Sequence, residues 1–220
     1  MRADAAPPEP LSGDAERIML AAVRHAAFDG WSPRILAMAA DDCGLVDADV
    51  VFPGGIPDLI EAFSHWADGR MEVELAVHDL AALKVRARVA LAVRLRLDTL
   101  APYREAIRRL TAHCALPGNA GLAARLIAAT VDRIWYAAGD SANDFSYYTK
   151  RALLAPVYVA SVLYWLSDES EGYADTWNFV ERRLDEVLQI PKIRARALDA
   201  LDRLPNPVNF WRLMRRHRPI

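Results

Sequence analysis

The sequence predicts an all-α protein. Alanine, leucine and arginine, which have high helix propensities, are abundant. Apolar residues recur at spacings of three and four, the period of amphipathic helices, and β-branched runs are short. Glycine and proline stand at the ends of these periodic segments, where they terminate helices. With 220 residues, 53% of them hydrophobic, the chain is long enough to bury a sizeable core.

The order of helical patterns in residues 14–78 predicts a helix-turn-helix head of the repressor type. Asp14 can cap the first helix, and Gly30 ends it. Ser32 and the proline that follows it start the second helix, because proline is favoured in the first helical turn. The expected order is long, short, short and long, with helices over about 14–28, 33–44, 47–51 and 59–77.

The body of the protein is expected over residues 79–190. Its helical patterns cover about 80–99, 102–115, 120–138, 145–167 and 171–188. Two stretches, 122–135 and 153–166, are apolar on more than one face. Such helices either pack between other helices or line an apolar cavity. Both alternatives are open at this point.

The two ends of the chain differ from the body in composition. Residues 1–13 are rich in proline and alanine and are expected to form a disordered tail. They also lack the patterns of signal and transit peptides. Residues 191–220 are expected to form a linker and a last amphipathic segment, 208–218. From Arg203 to the end, the sequence contains five arginines and no acidic residue. This pattern favours a membrane-surface helix over one docked on protein. The predicted membrane-binding residues are Phe210, Trp211, Arg212, Leu213, Met214, Arg215 and Arg216.

Charge argues against nucleic-acid binding despite the head. The formal net charge is −2, and no lysine or arginine lies between Arg34 and Arg70. Four aspartates surround the expected recognition helix, at positions 41, 42, 47 and 49. Acids facing phosphates would repel them and release no counterions. We therefore expect no nucleic-acid partner.

No catalytic, metal or cofactor site is evident from the sequence. The chain has no phosphate-binding glycine motif and no GxSxG nucleophile elbow. None of its five histidines follows a glutamate by three residues, the spacing of a di-iron carboxylate site. Cys43 and Cys114 suit free thiols. The longest apolar run, 152–166, is shorter than the roughly 20 residues of a membrane span.

Three stretches resemble a known family. Residues 135–151 read WYAAGDSANDFSYYTKR, which is similar to W-x-x-A-G-D-x-S-x-D-F-N-W-Y-T-x-R of the ubiquinone-biosynthesis accessory family. Ser146 and Tyr147 are among the positions that depart from this pattern. Two N-terminal pieces, AAFDGWS and FPGGIPDLI, resemble that family's PFDGWT and FPxGPxDLI. Residues 166–179 match its D-x-S and D-T-W-x-F pieces. The resemblance spans about residues 14–189.

The resemblance implies a tetracycline-repressor-like fold and a non-catalytic function without cofactors. The protein is expected to be a homodimer that binds an isoprenoid quinone intermediate or a phospholipid. It would present this lipid to the di-iron demethoxyubiquinone hydroxylase at a membrane surface. The expected location is the bacterial cytoplasm, peripherally on the inner membrane. The alternative is a ligand-sensing transcriptional regulator of the tetracycline repressor type.

Two sets of site residues follow from this resemblance. The lipid pocket is expected to be lined by Val131, Ile134, Trp135, Leu154, Val157, Tyr158 and Ser161. The hydroxylase is expected to contact Leu97, Ile134, Tyr147, Tyr148 and Arg151. For both sets the alternative is ordinary core packing. The last two long helices are expected to form the dimer interface.

Overall fold

The computed structural model describes residues 13–45, 48–140 and 145–187. Within these ranges no β-strand occurs, so the all-α prediction is confirmed. The helices are α1 (Gly13–Asp29), α2 (Pro33–Cys43), α3 (Ala48–Val51), α4 (Ile56–Ala76), α5 (Val85–Leu100), α6 (Arg104–Cys114), α7 (Ala120–Ala137), α8 (Phe145–Ser167) and α9 over residues 174–187.

Glycines end several helices as the sequence predicts. Gly30 follows α1 with a left-handed φ of 72°, and its N–H donates to the Ala26 carbonyl at 3.1 Å. Gly44 adopts the same conformation after α2, at φ 67°. Only glycine enters this region without steric strain. The predicted start of α1 is wrong by one residue, because Gly13 is already helical and Asp14 lies in the first turn.

Aromatic side chains join the head to α6. Phe63 on α4 stacks on Trp66, with ring centroids 5.8 Å apart, and meets Tyr103 edge-on at 5.5 Å. Trp31 is buried, and its Nε1 donates to the Ala106 carbonyl at 3.0 Å. This hydrogen bond satisfies the indole N–H inside the core. The head therefore packs directly on the body.

The body packs against α4, the last helix of the head, which contacts both α5 and α7. Helix α7 also packs on α8. One continuous buried core runs through head and body, from Ile18 on α1 to Leu184 on α9. The division at residue 78 stays a prediction. The C-terminal amphipathic helix and its seven predicted membrane-binding residues lie outside the described residues, as does the N-terminal tail except Gly13.

Asp168 holds the corner between α8 and α9. Its carboxylate accepts hydrogen bonds from the Ser170 N–H at 2.8 Å, the Thr176 N–H at 2.8 Å and the Thr176 hydroxyl at 2.5 Å. Burial by itself would raise the pKa of Asp168, but these hydrogen bonds outweigh it and lower the pKa to about 2. Thr176 and Asp168 are both buried. The ionised carboxylate therefore fixes the start of α9.

In the described part of the chain, no individual helix combines the length and hydropathy of a membrane span. By length and composition alone, two consecutive segments, Val85–Cys114 and Pro117–Ala137, would together suffice for a span, but a bend of 100° separates them.

Candidate functional site

A cavity of about 360 Å³ lies among α4, α5, α6, α7 and α8. Most of its lining is aliphatic or aromatic, and it extends from the buried core to exposed Ala115 and Leu163. Small-molecule sites have this character, an apolar surface with a few placed polar groups. The lining residues are Phe63, Ser64, Arg96, Leu100, Ile107, Leu110, Thr111, Cys114, Ala115, Ala123, Leu126, Ile127, Thr130, Tyr158, Val159, Val162 and Leu163.

Of the predicted pocket residues, only Tyr158 lines this cavity. The others are buried in the core instead: Val131, Ile134, Trp135, Leu154, Val157 and Ser161. On α7 the prediction chose the C-terminal half, whereas the cavity lies against the first half, up to Thr130. On α8 the most apolar stripe packs against neighbouring helices, and the adjacent stripe with Val159 and Val162 faces the cavity. The predicted residues therefore lie on two helices that line the cavity but, apart from Tyr158, on faces that pack in the core, and their role in lipid binding stays a prediction.

A buried polar cluster forms one end of the cavity lining. Arg96 Nε donates to Asp68 Oδ1 at 2.6 Å, and their side chains are 5% and 0% exposed. Arg96 Nη2 donates to the hydroxyls of Ser64 at 3.0 Å and Thr130 at 3.1 Å. Arg96 Nη1 donates to the hydroxyl of Tyr158. Four of these residues, all but Asp68, line the cavity.

The protonation states of the cluster follow from its contacts. Burial opposes the charge on Arg96, but the nearby Tyr158 and Asp68 oxygens more than compensate, so the Arg96 pKa is raised. The pKa of Tyr158 is also raised, because the effect of burial outweighs the lowering effect of Arg96. At neutral pH the guanidinium is therefore charged and the phenol is neutral.

Four members of this cluster, Ser64, Asp68, Arg96 and Thr130, are not among the residues predicted from the sequence. A signal was present, because Asp68 and Arg96 occupy positions on otherwise apolar helical stripes. Asp68 lies between buried Ala67 and Met71, and Arg96 lies next to buried Leu97. A charged residue at such a position must find a partner inside the protein.

The break between α7 and α8 carries a second polar cluster. The Asp140 carboxylate, 6% exposed, accepts from Lys150 Nζ at 2.6 Å and lies 3.5 Å from Arg151 Nη1. Asp132 Oδ1 accepts from Arg151 Nε at 2.5 Å and from the Tyr147 hydroxyl at 2.8 Å. The Arg151 guanidinium lies 3.3 Å from the centroid of the Tyr147 ring. These contacts fix the start of α8 against the end of α7.

Gly139 allows the chain to make this break. Its φ is 86°, its N–H donates to the Tyr136 carbonyl at 2.9 Å, and a β-carbon there would lie 3.1 Å from Arg88 Nη1. Arg88 in turn donates to the Ala138 carbonyl at 3.3 Å. Backbone conformation and space both favour glycine.

The predicted partner-binding residues divide into two groups. Tyr148 is 57% exposed, and Tyr147 and Arg151 are partly exposed at the same corner. Ile134 and Leu97 are 0% exposed. The placement of these two at the surface was wrong, because both lie on the buried faces of their helices. The role of the remaining three stays a prediction.

Among the described residues, no group of three or more histidine, cysteine or acidic side chains is arranged to hold a metal ion. Glu61 pairs with Arg125 at 2.7 Å. His25 Nε2 lies 2.7 Å from Asp42 Oδ2. Cys43 and Cys114 are free thiols, and Cys114 lines the cavity.

The chain is similar in sequence to known proteins of one family. The family model for COQ9 matches residues 120–191, which include α7, the break and α8. The chain is 31% identical over 188 residues to ubiquinone biosynthesis protein COQ9, mitochondrial, of Drosophila melanogaster, and 31% identical over 182 residues to the Homo sapiens protein of that name. The predicted family resemblance is confirmed.

Coverage differs between the chain and these COQ9 proteins. Each alignment includes 79% of this chain but only 55% of the fly protein and 57% of the human one. The chain therefore spans little more than half their length. A crystal structure of a TetR transcriptional regulator from Nitrosomonas europaea covers 80% of this chain, with a TM-score of 0.65 at 23% identity. This likeness confirms the tetracycline-repressor-like fold.

Proposed function

We propose that this protein is a COQ9-type accessory factor of ubiquinone biosynthesis that binds an isoprenoid or quinone-like lipid without transforming it. The observation that carries the proposal is the cavity, in which apolar side chains from five helices surround a space of about 360 Å³. Similarity to proteins named for ubiquinone biosynthesis supplies the pathway.

The apolar lining offers a physical reason for such a role. Each methylene of a lipid chain that leaves water contributes about 0.8 kcal/mol, so a long isoprenoid rarely leaves a membrane unassisted. An apolar cavity close to a membrane offsets this cost. In the proposed mechanism the segment 208–218 binds the membrane surface, and the lipid passes into the cavity.

The proposed partner is the di-iron demethoxyubiquinone hydroxylase. The corner formed by Tyr147, Tyr148 and Arg151 carries aromatic rings with polar tips and an arginine, the residue types that dominate binding hot spots. Its rigid cross-links through Asp132 and Asp140 support a preformed docking surface. The cavity is lined in part by α7 and α8, the same helices that meet at this corner, so the lipid would be handed over from the cavity to a hydroxylase bound there.

A pair of variants on α7 tests lipid binding. Ala123 lines the cavity, whereas its neighbour Ala124 is exposed. Ala123→Phe fills part of the cavity and is expected to weaken binding of a geranyl-substituted benzoquinone in titration calorimetry. Ala124→Phe adds the same side chain outside the cavity and is expected to bind like the parent. Equal binding by both variants would place the ligand elsewhere.

The competing function is ligand-sensing transcriptional regulation, which the fold of the Nitrosomonas protein favours. Charge opposes it, because acids lie in and around α3 and no lysine or arginine lies between Arg34 and Arg70. A gel-shift titration against random-sequence duplex DNA at low salt discriminates the two. The proposal expects no shift at micromolar protein, and a salt-dependent shift would support the regulator.

A further inference from the structure

The buried end of the cavity holds one hydroxyl donor whose proton has no recorded acceptor. The Tyr158 oxygen accepts from Arg96 Nη1. Among the described residues the structure records no acceptor for the Tyr158 proton. The residue is 7% exposed and lines the cavity. Since buried donors are nearly always hydrogen-bonded, this proton is available to a ligand oxygen.

The charge balance of the cluster selects the kind of oxygen. Arg96 is the cation nearest to this end of the cavity, and Asp68 neutralises it through a contact of 2.6 Å. The remaining recorded Arg96 donors are directed at Ser64, Thr130 and Tyr158. A carboxylate or phosphate would meet the Asp68 charge with no unpaired cation to compensate it. A carbonyl or ether oxygen needs only a donor.

We infer that Tyr158, held in place by Arg96, binds an uncharged oxygen acceptor at the polar end of the ligand, which therefore enters the cavity head-first. The inference rests on the proposed lipid binding and adds an orientation and a headgroup class. The hydrocarbon chain then lies against aliphatic residues such as Ile127 and Val162 and leaves near exposed Leu163. Ketones, quinones and aryl ethers on hydrocarbon chains meet this requirement.

Three probes of one shape test the headgroup class: geranylbenzoquinone, geranylbenzene and geranylbenzoic acid. Tyr158→Phe removes the hydroxyl and keeps the ring. Tyr164→Phe is the matched control on the same helix, because Tyr164 stacks on Phe179 at 4.6 Å and does not line the cavity. Circular dichroism checks that both variants are folded, and titration calorimetry measures the three affinities.

The quinone is expected to bind the parent protein and Tyr164→Phe about two- to tenfold more tightly than geranylbenzene, the effect of one net hydrogen bond. Tyr158→Phe is expected to lose this advantage and to bind geranylbenzene unchanged. The acid should gain nothing over geranylbenzene. Equal affinities of the parent protein for quinone and hydrocarbon would overturn the orientation and leave lipid binding intact. Failure of all three probes to bind would overturn both.

Infrared spectra of a quinone with ¹³C-labelled carbonyls give a second readout that a purely structural role of Tyr158 would not change. Hydrogen bonding lowers the carbonyl stretching frequency. A downshift is expected with the parent protein and Tyr164→Phe, and none with Tyr158→Phe. Identical spectra for all three proteins would contradict the inference.

Discussion

Arg96 on α5 and Asp68 on α4 form an ion pair 2.6 Å long whose side chains are 5% and 0% exposed. The pair connects two long helices and places a guanidinium beside an apolar cavity. A buried charge is tolerated only when a partner and further hydrogen bonds compensate its desolvation. Arg96 meets this condition through Asp68, Ser64, Thr130 and Tyr158 together.

The first prediction concerns this pair. Asp68→Asn leaves Arg96 buried without a counter-charge and is expected to lower the free energy of unfolding by about 3–5 kcal/mol. Urea denaturation followed by circular dichroism measures it. Glu61→Gln is the control, since Glu61 pairs with Arg125 at 2.7 Å where the arginine is 64% exposed. Glu61→Gln should lower the free energy of unfolding by no more than about 1 kcal/mol. Similar losses in both variants would contradict the importance of burial.

The second prediction is a pH dependence at the corner between α8 and α9. Since the pKa of Asp168 falls from 3.8 to about 2 on folding, its ionised form stabilises the folded state. This contribution is complete above the unfolded pKa of 3.8 and is lost as the pH falls through about 2. Asp168→Asn should lower stability by about 1–3 kcal/mol at neutral pH. The difference from the parent protein should shrink on acidification below about pH 4.

Chemical denaturation at a series of pH values measures this profile. Glu169→Gln, at an exposed neighbouring position, is the control and should leave the profile unchanged. A stability difference for Asp168→Asn that does not vary between neutral and acidic pH would show that the carboxylate charge is not responsible.

The third prediction concerns the proposed hydroxylase surface. Tyr148 is 57% exposed and meets Tyr147 edge-on at 5.1 Å. Tyr148→Ala is expected to weaken binding of the hydroxylase by about 2 kcal/mol and to leave the melting temperature close to that of the parent. Ile134→Ala, inside the core, should instead destabilise the fold by about 2–5 kcal/mol. Unchanged affinity of Tyr148→Ala in calorimetry would rule out this docking surface.

The fourth prediction is dimerisation through α8 and α9. Tyr164 and Phe179 stack across these two helices while remaining partly exposed, which provides an aromatic patch shared by both. Light scattering at micromolar concentration should give the mass of a dimer, and Phe179→Arg should give a monomer. Val73→Arg, at a 64% exposed position on α4, is the control and should stay dimeric. A parent protein that is monomeric would end this proposal.

The fifth prediction concerns residues 208–220. Their removal is expected to leave a folded protein that binds liposomes of anionic phospholipid more weakly, because the sequence of the segment predicts an amphipathic helix with arginines beside an apolar face. Co-sedimentation of the full and shortened chains with the same liposomes measures the effect. Neutral phosphatidylcholine liposomes are the control. If both chains sediment equally with anionic liposomes, the segment is not a membrane anchor.

Most helices could be predicted from sequence because their limits depend on local chemistry. Gly30, Gly44 and Gly139 adopt left-handed conformations at three of the predicted breaks. Helix α8 was predicted from Phe145 to Ser167 and extends over those residues. Pro156 lies inside it and did not end it. Local residue type therefore accounts for much of the fold.

The cavity could not be predicted in the same way because it depends on long-range packing. Periodicity identifies the apolar side of α8, but it does not distinguish Tyr158 and Val162, which face the cavity, from Leu154, which packs in the core. Arg96 and Asp68 are 28 residues apart in sequence. Their pairing requires the packing of α4 on α5. Charged residues on apolar stripes were the one local indication of the cluster.

The central claim is that the cavity holds a lipid, and mass spectrometry of organic extracts from the purified protein tests it most directly. A near-stoichiometric isoprenoid or quinone-like lipid is expected in extracts of the parent protein and of Ala124→Phe. A clear reduction is expected in extracts of Ala123→Phe, whose added ring occupies the cavity. Extracts without lipid from all three proteins, or equal lipid in all three, would contradict the claim.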